Sequence, residues 1–254
     1  MDEIDECCWY SSDFTHLKEC YKKAIVQTKI DERCKIIEAH AFDGCNNLTK
    51  VELPENITEI GESAFANCIS LREITGTEQL EKIGSSAFYL CDSLTKFTIS
   101  QKIDIIEPHT FDGCHNLSKI ELPANVREIG ESAFANCISL REITGTENVE
   151  KIGSHAFYHC ISLQKFSFPS AVKTVEPYTF YDCRGLMDVG DLSNVKSIGD
   201  FAFCNCMTLK TITLPPATTF EYFGKEPFEG CENLDEETKN RIKELIEVTN
   251  SQNR

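Results

Sequence analysis

Nine phenylalanines at a fixed interval constrain this chain more than any other feature. Phe42, Phe65, Phe88, Phe111, Phe134, Phe157, Phe180 and Phe203 stand 23 residues apart, and Phe228 follows after 25. Three residues after each comes a cysteine: Cys45, Cys68, Cys91, Cys114, Cys137, Cys160, Cys183, Cys206 and Cys231. Six after each comes a leucine: Leu48, Leu71, Leu94, Leu117, Leu140, Leu163, Leu186, Leu209 and Leu234. A period in this range marks a solenoid or array, because each unit is one small motif that closes its core only against a neighbour. A longer period overlies it. Residues 59–78 recur unchanged at 128–147, three units on, so the chain grew by duplicating three-unit blocks, and the block from about Phe180 has drifted most.

One unit can be read physically. In Leu48-Thr49-Lys50-Val51-Glu52-Leu53 the apolar residues alternate with polar ones, the period-two pattern of a half-buried strand. Val51 belongs to an apolar column nine residues after each Phe. Pro54, Pro123 and Pro215 end their strands, since proline gives the ladder no donor. A second extended piece, Ile57–Ile60, runs back, and Gly61 is expected to let the chain turn. Residues 62–68 then read as one compact helical or 3₁₀ turn with Phe65 and Cys68 on its inner side.

The pattern I-G-x-x-A-F-x-x-C-x-x-L-x-x-I-x-L-P in units of 23 resembles the BspA-like class of leucine-rich repeats. The resemblance implies a right-handed solenoid with a parallel sheet on its concave side and binding to proteins or host matrix, with no common catalytic residue. Some units depart from it. Gly76, Gly145 and Asp191 replace the strand-ending leucine, and Thr-Phe or Pro-Phe replaces Ala-Phe in units four, seven and nine. The expected organisation is a partly helical N-terminal cap over 1–33, a nine-unit solenoid over 34–234, and a capping helix with tail over 235–254. Ile25, Ile30, Cys34 and Ile37 fall at positions of a half-formed unit. Before them Asp13–Tyr21 has helix-like apolar spacing. Asp235 is placed to cap a helix through about Val248, with Ile242, Leu245 and Ile246 on one face.

A formal net charge of −16 repels phosphate backbones and anionic lipid, so nucleic acid and membrane are poor partners. The acidic start MDEIDE is followed by no apolar run of secretory type, and no window has the roughly 18–20 apolar residues of a membrane span. The expectation is a cytoplasmic chain, with a cell-surface location by unconventional export as the alternative.

Little in the sequence suggests catalysis or a cofactor. Cysteines at 23-residue intervals lack the short ligand spacing of zinc sites, and parallel side chains do not face each other as a disulfide requires. They are expected to be buried, reduced thiols. His155 and His159 are four apart beside Cys160, yet His40 and His109 share the repeat position of His155, where Ser63, Ser86 and Ser132 also occur. A surface turn explains that column better than a metal. Asn47, Asn56 and Asn116 match the glycosylation sequon, and turn chemistry is the simpler explanation. There is no phosphate loop or nucleophile elbow, so the chain is expected not to be an enzyme.

The concave face carries more information. Its outward positions, seven, eight and ten after each Phe, hold Lys50, Arg72, Lys96, Lys119, Arg141, Lys165 and Lys210 against Glu52, Glu73, Glu121, Glu142 and Asp188. Seven against five is +2 on a chain of −16, a mildly basic channel suited to an acidic protein partner. Solubility of the strand face explains the same residues without a partner. The insertion before Phe228 brings Phe220, Tyr222 and Phe223, which either anchor a partner or pack beneath the terminal helix. The expected function is a non-catalytic protein-interaction scaffold. A surface adhesin or antigen is the rival, and a regulatory subunit of an enzyme such as a phosphatase is a third class. No clean basic-x-Val-x-Phe docking motif favours that third class.

Overall fold

A computed structural model describes residues 7–21, 23–216 and 219–252, so the acidic start lies outside it. The chain winds as a parallel-strand solenoid of about nine turns whose walls are held by bonds between units. One row of strands comprises Gln27–Lys29, Lys50–Glu52 and Glu73–Thr75, then Lys119–Glu121 and Glu142–Thr144. Its register steps by one repeat, with Val51 opposite Ile74 and Ile120 opposite Ile143. A second row begins at Ile36–Ile37 and ends at Tyr222–Phe223, again in repeat register, as in Ile129 opposite Ile152. These are the two extended pieces read in each unit.

The first row is interrupted around residues 96–98 and reduced to single bridges at Lys165. Both places coincide with units whose inward residue is Phe97 or Phe166 rather than Val or Ile. There a buried threonine serves the neighbouring strand. The Thr77 hydroxyl donates to Thr98 O at 2.7 Å and the Thr146 hydroxyl to Ser167 O at 2.6 Å. Those carbonyls therefore keep a partner despite the lost ladder.

The third wall corrects the expectation of a helical or 3₁₀ turn. Around Phe42, the N–H groups of His40, Phe42 and Gly44 donate across to Glu62, Ala64 and Ala66 of the next unit. The intervening Ala41, Asp43 and Cys45 N–H groups close turns on the carbonyls three residues back. Alternation of this kind needs a left-handed residue two before and two after the Phe. Ser63 (φ 52°) and Asn67 (φ 59°) are such a pair, and His155 (φ 57°) and His159 (φ 59°) another. The winning factor is tertiary: a helix would bond only within itself and leave the next unit's carbonyls without donors.

Gly61 is also explained differently from the sequence expectation. A Cβ there would stand 2.6 Å from the backbone nitrogen of Ala39, so glycine is needed for close approach between turns of the solenoid. Gly145 combines both demands, with φ +77° and a Cβ site that would overlap Leu122 O. Gly145→Ala is expected to destabilise the chain by about 1–3 kcal/mol, measured as a lowered urea midpoint, because strain and overlap act together. An unchanged midpoint would contradict the packing described for this turn.

Inside, the phenylalanines form one continuous stack. Successive rings lie 4.9 to 5.6 Å apart with planes within 8° of parallel. The leucine column is fully buried in units one to eight and almost so at Leu234. Each ladder thiol from Cys68 to Cys231 donates to the carbonyl of the Phe one unit back at 3.0 to 3.3 Å.

The ends differ from each other. The N-terminal cap is a hairpin rather than partly helical: Cys8–Tyr10 runs antiparallel to His16–Cys20, which pairs in parallel with Ile36–Ile37. Asp13 does not start a helix. Its carboxylate accepts from the Ser11 and Thr15 hydroxyls and the Thr15 N–H, fixing a turn with Phe14 at φ 62°. The physical reason is the open strand edge at Ile36–Ile37, which a strand satisfies and a helix cannot. At the other end Asp235 accepts the Thr238 N–H at 2.7 Å and starts a helix over Glu236–Gln252, four residues longer than expected. Leu245 is buried on the core, Ile242 is packed at its edge, and Ile246 stays 40% exposed.

Candidate functional site

The strand face is built by the register of its rows. Because every partner lies one repeat away, like positions form columns along the solenoid. The column eight after each Phe reads Lys50, Glu73, Lys96, Lys119, Glu142, Lys165 and Asp188, and its neighbour seven after carries Arg72, Arg141 and Lys210. The inward residues between the outward positions, such as Val51, Ile120 and Phe166, are buried. Lys50, Lys96, Lys119 and Lys165 therefore share one column, Lys50 half-exposed and the others exposed, and Arg72, Arg141 and Lys210 are exposed one residue before it.

Their charges are not equally available. Lys50 pairs with Glu73 at 3.4 Å and Lys119 with Glu142 at 3.0 Å, one unit apart in each case. The hydrogen-bonded Glu142 carboxylate holds the Lys119 ammonium above its ordinary pKa. Among the described residues no ion pair is made by Arg72, Lys96, Arg141, Lys165 or Lys210. Both pairs are solvent-exposed and worth little for stability, so they tune the field of the face more than they hold the fold.

The aromatic insertion divides. Phe220 is buried, and Phe223 packs against the core 6.1 Å from the Phe228 ring centroid. Tyr222 is 49% exposed, with its hydroxyl donating to the Asp200 carboxylate at 3.0 Å. A cleft of about 600 Å³ between this end and the helix is lined by Phe223, Phe228, Ile242 and Ile246.

The two histidines weighed for metal turn to different partners. The His155 ring stacks on Tyr178 at 4.8 Å, and burial pushes its pKa down. His159 Nδ1 meets the Asp182 carboxylate at 2.6 Å, which also takes the Arg184 guanidinium. Among the described residues no three His, Cys, Asp or Glu side chains are grouped as metal ligands. The sequon residues Asn56 and Asn116 donate to Glu32 O and Asp92 O of the preceding unit. The ladder thiols are buried, and burial pushes Cys68 up to about 12 and Cys91, Cys114, Cys137 and Cys183 well above the ordinary range. A thiol held protonated is neither a nucleophile nor a metal ligand.

The sequence points to the convex loops carrying Tyr89, Tyr158 and Tyr181 as a further place for a partner, but not to the grouping of Tyr158 and Tyr181 with His155, Tyr178 and Phe201. In units six to eight the turn positions two before and one after the Phe become aromatic: His155, Tyr158, Tyr178, Tyr181 and Phe201. Tyr158 stacks on Tyr181 at 5.1 Å and Tyr178 on Phe201 at 5.2 Å. Comparing units column by column, where Ser63, Ala66, Ser132 and Ala135 occupy the same places, is the signal that finds it.

The BspA type leucine rich repeat region model matches residues 16–120 and 104–235, in six copies over the chain. A solved structure of a leucine-rich-repeat protein from T. pallidum is similar at 22% identity and a TM-score of 0.56, covering 94% of this chain and 92% of that one. A leucine-rich cell surface protein from Faecalibacterium prausnitzii is similar at 21% identity and a TM-score of 0.54, covering 90% and 85%. Both likenesses concern the fold. No curated protein matches the chain. Among the described residues no helix is long and apolar enough to cross a membrane.

Proposed function

Because the chain belongs to the BspA-type leucine-rich-repeat family, we propose that it is a non-catalytic interaction scaffold whose strand face takes an acidic surface of a partner protein. The observation that carries this reading is the segregation of charge. Lys96 and Lys165, outside any described ion pair, share the strand column with Lys50 and Lys119, and the exposed Arg72, Arg141 and Lys210 stand one residue before it, on a chain whose net charge is −16. An ordered basic field on an acidic body attracts an acidic partner and turns away basic ones, which sets association rate and orientation more than affinity.

Reversing Lys96, Lys119 and Lys165 to glutamate takes the face from +2 to −4, since each swap shifts the charge by two. With a partner isolated by affinity capture, association is expected to slow and its salt dependence to weaken or reverse. Lys119→Glu also breaks an ion pair, so the double variant Lys96→Glu/Lys165→Glu serves as control and should show the same trend. Unchanged rate and affinity in both would end the strand-face reading. This reading takes the chain as a cytoplasmic protein. Antibody access on intact cells would replace it with the adhesin reading, in line with the description of the Faecalibacterium protein as a cell surface protein.

A further inference from the structure

We infer that the aromatic turns of units six to eight form a second binding surface, which seats an arginine side chain from a basic segment of a partner protein against Tyr181. The rings there make two columns along the solenoid. One runs His155, Tyr178, Phe201, with centroid steps of 4.8 and 5.2 Å. The other runs Tyr158, Tyr181, with planes 5° apart. The columns meet side on, with Tyr178 and Tyr181 at 5.7 Å and 52°. None of these rings is fully buried.

The first column ends on a cation. Lys225 Nζ lies 5.4 Å from the Phe201 ring centroid, within the range of a cation–π contact. The second column ends differently. Tyr181 has one face on Tyr158, and in the next unit the column holds Cys204 rather than a ring. A cavity of about 480 Å³ opens there, lined by Tyr178, Tyr181, Phe201, Cys204, Asn205 and Glu229. Aromatic rings and the Glu229 carboxyl in one lining suit a planar guanidinium, which stacks and hydrogen-bonds at once.

Charge complementarity selects the same class of ligand. Glu226 and Glu229 lie close together at this end, where the Glu226 carboxyl pushes the Glu229 pKa up and Lys225 only partly offsets it. A bound cation relieves that repulsion. Backbone conformation adds an independent sign, because Tyr178 (φ 57°) and Phe201 (φ 55°) are bulky residues held in the left-handed region. The other units place serine, histidine or Glu226 there, so the aromatics add bulk at a position that already carries a local conformational penalty.

The test uses the full chain and a labelled (Arg-Gly)₄ peptide, followed by fluorescence anisotropy at about 100 mM salt, where diffuse attraction to an acidic protein is screened. Tyr181→Ala reproduces Ala66 and Ala135 of sister units, so the fold is expected to hold. Peptide binding should weaken about tenfold. Tyr181→Phe should restore it, and Glu229→Gln should weaken it. Tyr89→Ala, in the same column of unit three, should change nothing. A (Lys-Gly)₄ peptide should bind more weakly than the arginine peptide. Equal binding of the two peptides, or wild-type binding by Tyr181→Ala, would overturn the proposal and reduce the effect to net charge. Tighter binding of a trimethyllysine peptide than of the arginine peptide would overturn it as well. The inference does not rest on the strand face: Lys96→Glu/Lys165→Glu should bind the arginine peptide at least as well as the wild type.

Discussion

Truncating Phe134 to alanine should destabilise the solenoid by about 3–5 kcal/mol, as expected for removing a fully buried ring. Phe134 has no exposed surface and is stacked on both sides, by Phe111 at 5.5 Å and Phe157 at 5.6 Å. Its loss opens a void between two units that bond to each other along every wall, so neither unit can collapse into it without breaking ladder bonds. Phe228→Ala is the comparison. That ring is 9% exposed and stacked within the ladder on Phe203 alone, so its truncation should cost clearly less. Leu117→Ala, in the parallel leucine column, should cost about 2–5 kcal/mol. Urea midpoints, with hydrogen exchange to detect unfolding of part of the array, measure all three. A loss under about 0.5 kcal/mol at Phe134 would show that the stack is not the core.

The second large effect is alkaline unfolding. The seven thiols from Cys68 to Cys206 are buried, and desolvation raises each above the ordinary value near 9. Each also points its S–H at a backbone carbonyl, where a thiolate would meet like charge. A folded-state pKa raised above the unfolded one gives stability that is whole below pH 9 and falls as the unfolded chain loses protons the native chain keeps. At about pH 10 the loss is about 1.4 kcal/mol per thiol, or on the order of 10 kcal/mol for seven. That equals the whole stability of an ordinary domain. Circular dichroism should therefore show a steep, cooperative loss of structure between about pH 9 and 10.5, with iodoacetamide labelling of ladder cysteines rising in the same interval. A native spectrum at about pH 11 with the ladder thiols fully labelled would contradict their burial as protonated donors.

These two expectations rest on different parts of what was legible beforehand. The Phe, Cys and Leu columns could be read from spacing alone, because a solenoid writes each interior position once per unit. The same property made both extended pieces legible: period-two alternation at Val51 and Glu52 needs no knowledge of neighbours. The lysines eight after each Phe follow from that alternation, whereas Arg72, Arg141 and Lys210, seven after, are out of its phase and are exposed just before the strand positions. The pairing of the lysines did not follow. Whether Lys50 meets Glu73, or Lys96 stays outside any ion pair, depends on register between units and on side-chain reach.

What the sequence could not give is what backbone hydrogen bonds decide between turns of the chain. Residues 62–68 have spacing that fits a helical turn, yet their N–H groups are divided between closing a turn and reaching the next unit, so left-handed residues alternate instead. Asp13–Tyr21 likewise has helical spacing and becomes a strand, because the exposed edge at Ile36–Ile37 takes a strand as its cap. The aromatic turn surface belongs here in part: spacing alone marks Tyr158 and Tyr181 as convex-loop aromatics, but not their columns with Tyr178 and Phe201. Tyr158, Tyr178, Tyr181 and Phe201 are scattered over 44 residues of sequence, and only stacking at about 5 Å per unit turns them into two columns beside one cavity. Local patterning in this sequence determined which residues face inward. The bonds and contacts between units, made across 23 residues at a time, decided the rest, since no single unit holds enough apolar surface or enough hydrogen-bond partners to fix its own backbone.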